Sequence, residues 1–152
     1  MARVSKNQIK NYIDTDDVNN IKKLTAAEVN QQSKNGTAFK KGATPLHYAI
    51  ERTKKDIVAA ILSIKGIDLN LQDKDGCSAL HYSTTYIKGK TTYEIFELVF
   101  NKYNSTNSDI DMKDVNGFTP LSLAVKTLHK MNKGIKVNTD TSDKQDLKNL
   151  FV

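Results

Sequence analysis

The chain has 152 residues, a net charge of +6, 38% apolar and 26% charged residues; this suits one domain or a short repeat array and excludes long-range disorder. Two Pro and seven Gly exclude a collagen-like chain, and a single cysteine, Cys77, excludes an internal disulfide and a multi-cysteine zinc site. No run approaches the roughly 18 apolar residues of a membrane span, and Met1–Gln8 lacks the apolar core of a Sec-type signal peptide, so the expectation is a soluble chain of a reducing, cytoplasmic compartment, or one delivered into a host cell without such a signal.

At the N-terminus, Ile9, Tyr12 and Ile13 predict one apolar face of a polar helix. Val18, Ile21 and Leu24 predict another, after Asp16-Asp17, whose charges favour a helix N-terminus. Ser33-Lys34-Asn35-Gly36 reads as a turn, and the rest of 25–41 has no clear pattern. Three segments then align: Gly42-Ala43-Thr44-Pro45-Leu46-His47-Tyr48-Ala49, Gly76-Cys77-Ser78-Ala79-Leu80-His81-Tyr82-Ser83 and Gly117-Phe118-Thr119-Pro120-Leu121-Ser122-Leu123-Ala124. Their opening glycines are spaced by 34 and 41 residues.

Each segment predicts a capped helix. Thr before Pro offers a hydroxyl to an orphan amide, and Pro at the first helical position has no N–H to leave unpaired. Leu46, Ala49 and Ile50 form one apolar face, and Leu121, Ala124 and Val125 repeat it. The small residues Ala49, Ser83 and Ala124 allow close stacking. A second, more apolar helix follows in each unit: Ile57, Val58, Ile61 and Leu62, then Ile95, Phe96, Leu98, Val99 and Phe100. The second unit carries about eight extra residues relative to a ~33-residue period. They are placed as loops near Lys88–Thr92 and within Asn101–Ser108, and are read as tolerated length changes with binding loops as the alternative. Leu147, Leu150 and Phe151 predict an end-capping helix starting near Ser142.

These units resemble the ankyrin repeat, whose T-P-L-H-x-A signature stands in full at Thr44-Pro45-Leu46-His47 and in variant form at Ser78-Ala79-Leu80-His81 and Thr119-Pro120-Leu121. The clear resemblance covers Gly42 to about Lys130. It implies an all-α ankyrin-repeat solenoid of about four stacked helix pairs with short β-hairpin loops and no true sheet. Residues 1–152 are then one domain, divided into an N-cap repeat (3–41), a repeat (42–75), a repeat with insertions (76–116) and a C-cap repeat (117–152). The family's use of the signature histidine implies that His47 and His81 bond backbone rather than a metal.

No enzyme chemistry is expected. Cys77 and His81 lie four apart, a spacing that suits a nucleophile and base, but Cys77 occupies a turn position that the family varies freely. Asp73, Asp75 and Asp114 suit turns, and no phosphate-binding glycine loop occurs. Neither a metal nor a cofactor is expected. The resemblance instead implies a monomeric module that binds a protein through its hairpin tips and concave inner-helix face. Carried over by position, the partner-binding residues are Tyr48, Arg52, Lys74, Asp75, Tyr82, Tyr86, Val115, Asn116 and Phe118. For Tyr48 and Tyr82 two readings stand: a binding strip with Tyr86, or packing between repeats. An apolar pair at a tip, Val115 and Phe118, points to a partner because a tip has little core to fill. Nucleic acid is not the expected partner: Arg3 and Arg52 are the only arginines, and Lys is scattered among Asp and Glu. The alternative is a basic surface that binds an anionic partner, nucleic acid or an acidic segment; a third reading is a fragment of a longer array. Abundant Lys, Asn and Ile point to a microbial or viral source, and so to an effector acting on a host protein.

Overall fold

The computed structural model describes residues 2–85 and 87–132. These form helices α1 (Lys6–Asp14), α2 (Val18–Ile21), α3 (Ala26–Val29), α4 (Pro45–Glu51), α5 (Lys55–Leu62), α6 (Ala79–Thr85), α7 (Lys90–Thr106) and α8 (Pro120–Asn132), with no strand among the described residues. Inner helices α1, α4, α6 and α8 stack in that order, and outer helices α2, α5 and α7 stack behind them. Three helix pairs are therefore complete, and α8 opens a fourth. The predicted C-terminal cap, with Leu147, Leu150 and Phe151, lies outside the described residues.

Local sequence explains why these helices start where they do. Ser5 accepts the Gln8 amide at α1, and Asp17 accepts the Asn20 amide at α2. Thr44 is extended (φ −98°, ψ 170°) and caps α4, with Pro45 at the first helical position. Part of 25–41, unassigned from sequence, is α3, where the Glu28 carboxylate reaches back to accept the Thr25 amide (2.8 Å) and hydroxyl (2.9 Å). The second carboxylate oxygen of Glu28 accepts the Val4 amide at 2.8 Å and ties the N-terminal stretch to α3.

The insertions of the second unit are not loops. Lys90–Thr92 and Asn101–Thr106 are helical, so α7 runs 17 residues against eight in α5. Only Lys88 and Gly89 of the first predicted insertion stay outside the helix, and Asn107, in the left-handed region at φ 52°, ends it. Tyr103 explains the extension: it is fully buried, and its hydroxyl donates to the Leu69 carbonyl of the preceding unit.

Successive units are joined at their tips by backbone bonds rather than by a sheet. The Lys74 amide donates to the Lys41 carbonyl (3.0 Å), and the Val115 amide donates to the Asp75 carbonyl (2.9 Å). This approach demands glycine. A Cβ at Gly42 (φ +79°) would lie 2.6 Å from the Lys74 nitrogen, and one at Gly76 (φ +75°) 2.8 Å from the Val115 nitrogen. Gly117 shares the backbone conformation (φ +82°), but among the described residues nothing lies within 4 Å of the same position.

Candidate partner-binding surface

The signature histidines are structural staples. The His47 Nδ1 accepts the Thr44 amide at 3.1 Å, and its Nε2 lies 3.0 Å from the Cys77 carbonyl oxygen. A carbonyl has no proton to give, so the proton must sit on Nε2 and the imidazole is neutral. Burial pushes the His47 pKa down to about 4, against the opposing pull of the Cys77 carbonyl and the Asp73 charge. His81 repeats the pattern, from the Ser78 amide (3.1 Å) to the Phe118 carbonyl (2.9 Å). Both imidazoles thus link one unit's signature turn to the next unit's tip. Ser122 stands at this position in the third unit and, among the described residues, bonds locally to Thr119.

These bonds also engage both ring nitrogens of His81, leaving none to act as a base toward Cys77. Burial, assisted by the Asp73 charge, raises the Cys77 thiol to about 11, away from a reactive thiolate. Among the described residues, no three His, Cys, Asp or Glu side chains gather as metal ligands. A shallow groove between Arg52, Lys54, Lys55 and Thr91 has mixed charge, and its walls are joined by the Lys54–Asp16 (2.7 Å) and Lys55–Glu94 (2.8 Å) ion pairs.

The turns are ordered by carboxylates. Asp73 Oδ1 accepts the amides of Asp75 (2.9 Å) and Cys77 (3.0 Å), while Oδ2 accepts the Tyr82 hydroxyl (2.8 Å) and meets the Lys40 ammonium (2.7 Å). Burial alone would raise the Asp73 pKa, but the Lys40 bond, the Cys77 amide and the Tyr82 hydroxyl hold it below the usual carboxylate range. Lys40 also pairs with Asp75 at 2.7 Å. Burial opposes its charge, yet the two carboxylates raise its pKa well above the usual lysine value. Asp114 repeats the turn geometry, accepting the Asn116 and Phe118 amides at 2.9 Å.

The residues singled out from sequence now divide. Tyr82 is buried, its ring edge-on to His47 with centroids 4.8 Å apart, so it serves the interior. Tyr48 is half-buried: its hydroxyl donates to Asp14 (2.7 Å), its ring lies against Phe39, and the Lys10 ammonium sits 5.1 Å from its centroid. Arg52 is exposed, with Nε 3.8 Å from Asp14. Tyr86 lies outside the described residues. Lys74 is exposed on the second tip beside Asp75, whose side chain is half-exposed and held by Lys40. On the third tip Val115 is 67% exposed, Asn116 is exposed, and Phe118 is half-buried with the Lys126 ammonium 4.2 Å from its ring centroid. The structure therefore gathers Lys74, Asp75, Val115, Asn116 and Phe118 on adjoining tips, and sets Tyr48 and Arg52 apart around Asp14.

Two recurring features were not singled out from sequence. Gln32 Nε2 donates to the Gly42 and Gln72 carbonyls, and Gln72 Nε2 donates to the Gly76 and Lys113 carbonyls. Asn30 Oδ1 accepts the Asp68 amide, and Asn70 Oδ1 accepts the Asp109 amide. Each set marks equivalent places in successive units, and the 40-residue offsets Gln32–Gln72 and Asn30–Asn70 were the available signal.

A family model of ankyrin repeats in three copies matches residues 12–114, within the stack from α1 to α8. The chain belongs to the ankyrin repeat family. The chain is 31% identical, over 86 residues (57% of this chain and 10% of the other), to a probable serine/threonine-protein kinase of Dictyostelium discoideum. It is 30% identical, over 121 residues (72% of this chain and 49% of the other), to a putative ankyrin repeat protein of Rickettsia felis. The chain thus spans a tenth and about half of the lengths of these relatives. Ankyrin repeats are generally protein–protein interaction modules. No described helix is long and apolar enough to cross a membrane.

Proposed function

We propose that this ankyrin array is a non-catalytic, monomeric, cytoplasmic module that binds a protein partner through its turn tips and the adjoining inner-helix face. The observation that carries this reading is the third tip. Val115 is 67% exposed on a turn whose backbone is fixed by Asp114 and by the bond to the Asp75 carbonyl. An apolar side chain on a rigid, solvated tip gains nothing from the fold and presents preformed contact area, which lowers the entropy cost of association. Lys74, Asp75, Asn116 and Phe118 extend the contact on adjoining tips, with Tyr48 and Arg52 at its far side. Tyr82 supports it from beneath. The backbone-bonded histidines and the raised Cys77 thiol support the absence of catalysis. The composition and the bacterial relative support an effector of microbial source that acts on a host protein.

The test is site-specific photo-crosslinking in full-length protein. A photoreactive residue at position 115 should trap a discrete partner that the same residue at Glu97, exposed on outer helix α7, does not trap. Phe118→Ala should weaken that product severalfold. Equal trapping from both positions, or a product indifferent to Phe118→Ala, would remove the tips as the binding surface.

A further inference from the structure

We infer that the partner segment seated on this surface is acidic and carries one apolar anchor. The inference rests on the tip surface proposed above and names what that surface selects. Lys41 and Lys74 are exposed on consecutive tips, directly bonded through the Lys74 amide and the Lys41 carbonyl. Neither ammonium enters an ion pair among the described residues. The carboxylate in the same row, Asp75, shares the Lys40 ammonium with the buried Asp73 and pairs with neither Lys41 nor Lys74. Two unshielded like charges on hydrogen-bonded neighbouring backbones repel each other, and a partner's carboxylates relieve that repulsion. The Asp75 carbonyl then leads to the third tip, where the exposed Val115 follows the two cations. Behind it Lys126 is exposed over the Phe118 ring. The row therefore reads cation, cation, apolar contact, with a third cation set back on α8.

Charge alone would also admit nucleic acid, but the row does not suit it. A duplex or single strand is held by a run of phosphate contacts, and two or three ammonium groups release few counterions. The guanidinium fork that clamps phosphate is missing from the tips: Arg3 donates to the Ala27 carbonyl, and Arg52 lies beside Asp14. Phe118, the ring at the third tip, is half-buried with the Lys126 ammonium over one face, which makes it a poor platform for a stacked base.

The test pans a randomised peptide display library on the full-length protein. Enriched peptides should carry two or more Asp or Glu beside one large apolar residue. One such peptide, synthesised, should bind about tenfold more weakly to a Lys41→Glu/Lys74→Glu variant and severalfold more weakly to Val115→Ser, each checked for unchanged helicity. Its affinity should also fall as salt rises. Enrichment of neutral or basic peptides whose binding is lost on Val115→Asp would overturn the acidic partner and leave the tip surface standing. Peptides indifferent to Val115→Asp and Phe118→Ala would overturn both. Tighter binding of a single-stranded DNA 20-mer than of any enriched peptide, lost in the Lys double variant, would overturn the inference in favour of nucleic acid.

Discussion

His47 holds a neutral imidazole in a site from which water is excluded, between the turn that starts α4 and the tip of the next unit. Its pKa is lowered from the ordinary 6.5 to about 4, chiefly by burial. The unfolded chain takes up a proton at this residue as pH falls through 6.5, and the folded chain does not until about 4. Stability at His47 is therefore fully present above pH 6.5 and is lost as pH falls toward 4, in total about 3 kcal/mol at ~1.4 kcal/mol per pH unit. Urea unfolding at pH 7, 6 and 5 should show this slope, and His47→Gln should flatten it while lowering stability at pH 7. A variant with the parent's slope would show that His47 is not the titrating group. Asp and Glu titrate mainly below this window, and the other histidines are common to both proteins, so the difference in slope between parent and variant reports His47.

At the scale of the element, α7 separates what local sequence dictates from what packing decides. The starts of α2 and α4 were legible because Asp17 and Thr44-Pro45 act within one turn of their own backbone. The extension Asn101–Thr106 was not, because Asn, Ser and Thr there have poor helix propensity and read as loop. Only a contact with the preceding unit, Tyr103 to the Leu69 carbonyl, reveals why it is helical. The same holds for the surface. The tips were legible from the signature register, whereas the burial of Tyr82 depends on Asp73 and Lys40 closing over it from other turns. Tyr103→Phe keeps the ring and removes one buried donor, leaving the Leu69 carbonyl short of a partner. The expected loss is about 1–2 kcal/mol, with faster amide hydrogen exchange over 101–106 than over Ile95–Val99. Uniform exchange along α7 would mean that the extension is held by something other than Tyr103.

Across the whole molecule, stability in a stack is set by how many neighbours each layer has. Leu46, Leu80 and Leu121 occupy the same signature position and yet are 2%, 3% and 50% exposed. Ile50, Thr84 and Val125, one turn on, follow the same course at 2%, 5% and 55%. The third unit differs at its tip as well, where Gly117 meets no neighbour among the described residues and Ser122 has no imidazole to reach forward. Identical substitutions should therefore have unequal effects. Leu46→Ala and Leu80→Ala each remove a side chain enclosed on all sides and should cost about 3 kcal/mol. Leu121→Ala removes one that is half in water already, and should cost under about 1 kcal/mol. Denaturant midpoints of the three variants, measured side by side, decide the matter, since the chemistry of the change is constant and only the surroundings vary. An equal cost at Leu121 would mean that the Leu121–Val125–Leu128 stripe of α8 is covered in solution, by another part of the chain or by a second copy. A small cost would make the third unit the least enclosed layer of the stack, on the same unit as the exposed Val115.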